Sequence, residues 1–207
     1  MDLSTGPFRA YTERVKLFGS ILTGTFLACS LSAASLSDSD RQQLLDHLNQ
    51  SRKTFAEAIQ GLTAAQAKFK PAANRWSVLE CAEHLTQAEQ LLFADVQDAL
   101  KGPAGKKSRV SDENVLDVWG TRKQKAQSSG AYDPIGRWPD LGAVLKEFNR
   151  RRAITIDFVA NTPEDLRGRT CCGGMDLYQQ LLGISAHTLR HVEQMNEVKA
   201  DAGYPKS

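Results

Sequence analysis

Apolar residues recur at helical spacing in four stretches of this chain, each bounded by capping residues or by glycine and proline. Leu44, Leu45, Leu48, Phe55, Ile59 and Leu62 form the first stripe, opened by Ser37-Asp38-Ser39-Asp40 and ended near Gly61. The second opens on an S-x-x-E capping box, Ser77-Val78-Leu79-Glu80, where side chain and backbone satisfy each other's free N–H groups. It carries Cys81, His84, Leu85, Ala88, Leu91, Leu92, Val96 and Ala99, and Gly102-Pro103 stops it. The third starts around Asp140 with Leu141, Val144, Leu145, Phe148, Ile156 and Val159, and Asn161-Thr162-Pro163 ends it. The fourth follows Gly173-Gly174 as Leu177, Leu181, Ile184, His187, His191, Met195 and Val198, and Gly203-Tyr204-Pro205 closes it. After residue 36 nothing alternates as a strand would, and no segment repeats, so the expected fold is all-α.

Between the second and third stripes lies a polar connection from Gly102 to Pro139, with a short helical stretch over Asp112 to Thr121. A crossover this long lets those two helices run parallel, which predicts a four-helix bundle of up-down-down-up connectivity. Tyr132 and Trp138 in the connection are candidates to line a pocket if it folds over the bundle, whereas Trp76 is expected to pack at the bundle end.

The first 34 residues differ in kind. Arg9, Arg14 and Lys16 precede an apolar run from Leu17 to Leu31, then Ser32-Ala33-Ala34, which reads as a secretory signal peptide cleaved after Ala34. The expected location is therefore exported, periplasmic or extracellular, or cytoplasmic if this is not a signal. Gly, Ser and Thr within the run make it too weak for a membrane span, and Cys29 is a poor lipoprotein signal. No integral membrane span is expected in the mature chain. The whole chain of 207 residues is 41% hydrophobic and carries a net charge of +2, with no basic stripe of the kind nucleic acid requires. Lys101, Lys106, Lys107 and Arg109 lie among glycine and proline and read as a solvated loop. Of four cysteines, Cys29 would leave with the signal; Cys81, Cys171 and Cys172 fit neither a disulfide framework nor a CxxC pair.

The histidines change the picture. His47 lies at the flank of its stripe and reads as a surface residue, but His84, His187 and His191 fall within apolar faces. An imidazole in a core must satisfy two ring nitrogens, and three converging rings resist charging by burial and by one another. A divalent cation would take one nitrogen from each, leaving Glu83, Glu193 and Gln194 as candidate acceptors for the others. Cys81, one turn before His84, is an alternative ligand, while Glu80 is explained by its capping role. Satisfied core histidines without metal remain the competing reading.

Trp76-Ser77-Val78-Leu79-Glu80-Cys81-Ala82-Glu83-His84-Leu85 resembles the W-S-x-x-E-x-x-x-H-L signature of the DinB-like family of four-helix metalloproteins. Ala186 to Met195, containing His187, Arg190, His191 and Gln194, resembles its closing H-x-x-R-H-x-x-Q segment. The stretch Trp138 to Leu166, with Arg151 and Arg152, followed by Arg167, is similar to what lies between. The resemblance implies a bundle over residues 36–202 with a short tail, 203–207, and the same up-down-down-up connectivity. It also implies zinc or nickel held by His84, His187 and His191, with thiol-dependent S-transferases and isomerases among the relatives.

The leading expectation is thus a metal-dependent enzyme whose open coordination position activates a thiol or water. Its partners would be a small-molecule thiol or electrophile, with no nucleic acid and with room for a homodimer. Arg190 could reach an anionic group only by turning inward. The alternative is a non-catalytic exported bundle whose metal, if bound, is structural; a bundle without metal, used for interaction, is the third reading.

Overall fold

A computed structural model describes residues 35–103, 108–123, 128 and 130–206. The proposed signal segment and Cys29 lie outside the described residues. Six helices follow in order: α1 (Asp38–Ile59), α2 (Ala64–Lys68), α3 (Val78–Lys101), α4 (Asp112–Gly120), α5 (Leu141–Asn161) and α6 (Leu177–Lys199). Single 3-10 turns occupy Gly130–Tyr132 and Cys172–Gly174. No strand occurs among the described residues, and none of the described helices is long and apolar enough to cross a membrane.

The helix starts follow from side-chain chemistry. Ser37, Ser77, Asp140 and Asp176 each accept a hydrogen bond from a backbone N–H of the first turn, and at Ser77 and Asp176 a Glu80 or Gln179 side chain returns the bond. The short helix α2 has no counterpart among the four predicted stripes. Five residues are too few to show a periodic stripe, but Thr63-Ala64-Ala65-Gln66 is itself a capping box.

Contacts at the helix ends fix the connectivity. Arg41 near the start of α1 donates to the Val159 and Thr162 carbonyls at the end of α5, so α1 and α5 are antiparallel. Arg151 donates to the Thr86 carbonyl at 2.9 Å and Phe93 meets Phe158 further along, so α3 and α5 are parallel. Arg75 before α3 pairs with Glu197 near the end of α6 at 3.3 Å, which makes that pair antiparallel. Lys199 at the end of α6 donates to the Ala58 carbonyl near the end of α1, so α6 runs with α1. The four long helices therefore go up, down, down and up. Each of α1 and α3 packs against both α5 and α6.

The connection between α3 and α5 lies against the bundle through α4, which packs along α6. The approach is close because the facing residues are small: a Cβ on Gly183 would come 3.1 Å from the Trp119 ring, and one on Gly120 would lie 3.5 Å from the Ala186 Cβ.

At the centre Arg152 has no solvent exposure, yet all five of its N–H bonds find acceptors. Nε and Nη2 form a fork on the Glu89 carboxylate at 2.9 and 2.7 Å. Nη1 serves the Leu48 carbonyl and Ser51 Oγ, and Nη2 also serves Thr188 Oγ1. Thr155 donates its hydroxyl to Glu89 at 2.7 Å. One ion pair thus ties α1, α3, α5 and α6 together.

Replacing Arg152 with Met strands the Glu89 carboxylate in the core, and the expected loss on chemical denaturation is about 3–5 kcal/mol. The double replacement Arg152→Met with Glu89→Leu removes the stranded charge and is expected to cost less than the single one. A single variant within about 1 kcal/mol of the parent would refute the assigned role of the pair.

Candidate metal centre

The capped start of α3 sets His84 on the face turned toward α6, where His187 and His191 stand one turn apart. The Nε2 atom of His187 lies 3.3 Å from that of His84 and 3.1 Å from that of His191. One ring nitrogen from each residue can be chosen so that all three lie within 4.8 Å of one another. Three nitrogens each 2.0–2.1 Å from one tetrahedral ion would stand about 3.3 Å apart. His84 and His191 are buried and His187 is partly open.

Hydrogen bonds on the far side of two rings settle their tautomers. His84 Nδ1 donates to the Tyr132 carbonyl at 2.8 Å, and a carbonyl can only accept, so His84 Nε2 presents a lone pair. His191 Nδ1 donates to Gln194 Oε1 at 2.9 Å. That oxygen also accepts from Arg122, which can only donate, so the amide orientation is fixed and His191 Nε2 likewise presents a lone pair. His187 Nε2 could donate a proton to one of these neighbours but not to both. Among the described residues at least one of these lone pairs is left without a protein donor, and a cation at the convergence point answers it. The donor set therefore fits a divalent ion.

Protonation does not offer an equal solution. Burial lowers His84 and, with His84 and Arg190 nearby, pushes His187 down to about 3. Burial and the two neighbouring imidazoles hold His191 well below the ordinary histidine range. Each of these shifts favours the neutral ring, the form that binds a metal.

Glu83, expected as an acceptor for a histidine, turns away from the rings. Its buried carboxylate takes the backbone N–H groups of Ile135, Gly136 and Arg137 at 2.9, 2.9 and 3.0 Å, together with the Arg137 guanidinium at 3.0 Å. Burial alone would raise this carboxyl, but the Arg137, Ile135 and Gly136 N–H groups and the guanidinium outweigh it and hold it below the usual range. Gly136 makes the turn possible with φ at 78°. Glu83 thereby anchors the loop that sets the Tyr132 carbonyl over His84.

Other expectations are corrected. Cys81 is not drawn into the cluster: it packs in the apolar core with Phe55, Ile59 and Val198, and burial pushes its thiol up to about 12. Glu193 is exposed, and of the three candidate acceptors only Gln194 bonds a ring. Trp76 does not merely close the bundle end; its ring lies 4.9 Å from His84 and is stacked 6.2 Å from His191. Trp119, which the sequence reading did not single out, stands 6.3 Å from His187. Trp138 packs under Arg151 instead. Arg190 donates to the Thr121 carbonyl after α4. Arg122 continues the support of His191 outward, pairing with Glu197 at 3.2 Å.

Beside the rings an open cleft of about 400 Å³ is lined by Lys70, Ala73, Asn74, Trp76, Glu80, Asp133, Pro134 and Ile135. Trp76 belongs to both the cleft and the wall of the histidine cluster. Ile135 presents its side chain to solvent, 73% exposed, although Glu83 holds its backbone.

No curated protein matches the chain. A solved structure similar to it is that of YfiT from Bacillus subtilis, described as a probable metal-dependent hydrolase with an unusual four-helix bundle topology. The identity is 16% over 83% of this chain and 92% of that one, with a TM-score of 0.49. The sequence profile of the DinB superfamily matches residues 47–195, which run from α1 through all three clustered histidines. By that match over most of its length, the chain belongs to the DinB superfamily.

Proposed function

We propose that His84, His187 and His191 hold one divalent metal ion, zinc or nickel, and that the protein is a metal-dependent enzyme acting on a small molecule. The observation that carries this reading is the convergence of three imidazole nitrogens, two of them fixed as lone pairs by bonds on the far side of the ring. Three protein ligands leave a coordination position open. Bound there, the ion supplies Lewis acidity that lowers the pKa of a thiol or water and provides a nucleophile at neutral pH.

The chain's own groups prepare that site. The Tyr132 carbonyl and the Gln194 amide hold two rings in the ligating tautomer, and Arg122 holds Gln194. Trp76 packs on His84 and His191, and the cleft that it also lines is of a size for a small substrate. Transfer of a small thiol to an electrophile is the finer proposal, supported by the resemblance to thiol-dependent transferases. Hydrolysis is the competing reaction of the same donor set. A second reading, in which the ion only holds the bundle together, is favoured by the burial of His84 and His191. We also propose export, on the basic, apolar and small-residue order of residues 1–34. Recovery of a processed chain starting at Ser35 from the cell envelope or medium checks this, and a full-length chain in the cytosol contradicts it.

Metal analysis of untagged protein is expected to find about one zinc or nickel per chain, lost in His187→Ala. Absence of metal after incubation with either ion sinks the enzyme reading. Chelation separates the two roles: an open functional site gives up its ion with the helical circular dichroism retained, whereas a structural ion leaves the chain unfolded. Gln194→Met removes the acceptor for His191 and is expected to weaken metal binding about 10–100-fold in a competition titration. An unchanged affinity contradicts the role given to Gln194. With metal bound, turnover of small thiols with electrophiles against turnover of esters and amides decides between transfer and hydrolysis.

A further inference from the structure

At the far end of α3 from the histidines, Cys171 and Cys172 precede α6 in a turn closed on itself. Cys171 N–H donates to the Met175 carbonyl at 2.8 Å, and Met175 N–H donates to the Cys172 carbonyl at 3.3 Å. Thr170 and Asp176 pair across its base as an antiparallel bridge. Gly173 and Gly174 form the tip with φ of 65° and 80°, a region that costs glycine nothing. Adjacent side chains on an extended strand point to opposite faces. Here the turn brings the two sulfurs to the same side, 3.3 Å apart.

The two thiols differ in access. Cys172 is exposed, whereas Cys171 is half-buried with its sulfur 3.8 Å from the Asp95 carbonyl of α3. Asp95 lies eleven residues beyond His84 on α3, about 16 Å along the helix axis, so this pair is separate from the histidine centre. Cys81 is enclosed in the apolar core and cannot compete for the same partner.

We propose that Cys171 and Cys172 are a redox modification site that forms a reversible vicinal disulfide, with a small-molecule disulfide as the oxidant. Cys171 is half-buried and its thiol is pushed up to about 12 by burial and the adjacent thiol, while Cys172 is exposed and so meets the oxidant first. Its thiolate attacks one sulfur of the external disulfide, breaking that S–S bond; the released thiolate takes up the proton that Cys172 gave away. Cys171 then loses its proton and attacks Cys172 Sγ, expelling the second small thiol. Two cysteine thiols are oxidised by two electrons, and one external disulfide is reduced to two thiols. The sulfurs must close from 3.3 Å to about 2.05 Å. The ring so formed contains the intervening peptide and is strained, which makes the bond easy to reduce. Closure draws the Cys171 sulfur from the Asp95 carbonyl, where the segment leading into α6 meets α3.

Trypsin places both residues in one peptide, 170–190, which contains no other cysteine. Full-length protein is equilibrated across a series of reduced and oxidised glutathione buffers, alkylated in acid-quenched aliquots, digested and weighed. The expected result is that this peptide passes from two alkylated thiols to a species with neither alkylated, two hydrogens lighter than the free dithiol peptide. The change reverses on adding reduced glutathione, while the Cys81 peptide is unchanged. In Cys171→Ser the exposed Cys172 is expected to keep its glutathione adduct, accumulating at least about tenfold more than in the parent. Circular dichroism confirms that the variant is folded, and Cys172→Ser, altered only at an exposed position, is expected to form neither adduct nor ring. Two alkylated thiols persisting in fully oxidised buffer, a stable adduct on the parent Cys172, or disulfide-linked dimers joined through this peptide would each overturn the proposal. None of these readings depends on a metal at the histidines.

Discussion

The buried pair of Arg152 and Glu89 is the constraint on which the rest of the bundle depends. A guanidinium without solvent is tolerable only when every donor is met, and here the acceptors come from the other three long helices, α1, α3 and α6. A slip of any helix by one residue would remove an acceptor from a buried charge. Apolar side chains on neighbouring helices can slide past one another at small cost; this pair cannot. It therefore fixes the axial register of the helices in a way that leucine packing alone would leave loose.

The histidine cluster inherits that register. Thr188, an acceptor of Arg152, follows His187 directly, and Glu89 lies five residues beyond His84 on α3. The layer that fixes α3 against α6 is thus next to the layer in which the three imidazoles meet. Precision at the site needs a rigid support within a turn or two, because donor nitrogens must converge to within a few tenths of an ångström. A second support comes from the crossover. Glu83, beside His84 in sequence but turned to the other side, gathers three backbone N–H groups, and the loop so held delivers the Tyr132 carbonyl to His84. Two adjacent residues on one helix therefore act together, one as the candidate ligand and the other as the anchor of the group that orients it.

Much of this was legible from the chain. The boundaries of the four long helices follow from caps and stops that act within a few residues, so local chemistry suffices to find them. Placing three histidines on apolar faces needed only the helical period. What failed was of another kind. Cys81 shares the face of His84 one turn away, and periodicity cannot tell which of the two the neighbouring helix will approach; packing against Phe55 and Val198 took the thiol into the core. Glu83 and Gln194 both stood near histidines in sequence, but only the fold decides which polar tip meets a ring and which meets a distant loop. The same holds for Trp76, which precedes its helix and lies against the rings only because α6 crosses there.

Local sequence is enough to say where the four long helices start and stop, that three histidines fall on apolar faces, and that a long crossover separates α3 from α5. These are short-range or periodic properties, set by hydrogen bonds and burial within one element. Tertiary structure alone decided that Arg152 would find Glu89, that Tyr132 and Gln194 would fix the tautomers of His84 and His191, and that the sulfurs of Cys171 and Cys172 would face each other. Each depends on the relative position of groups on different elements or around a closed turn, and that position is the outcome of all the packing at once.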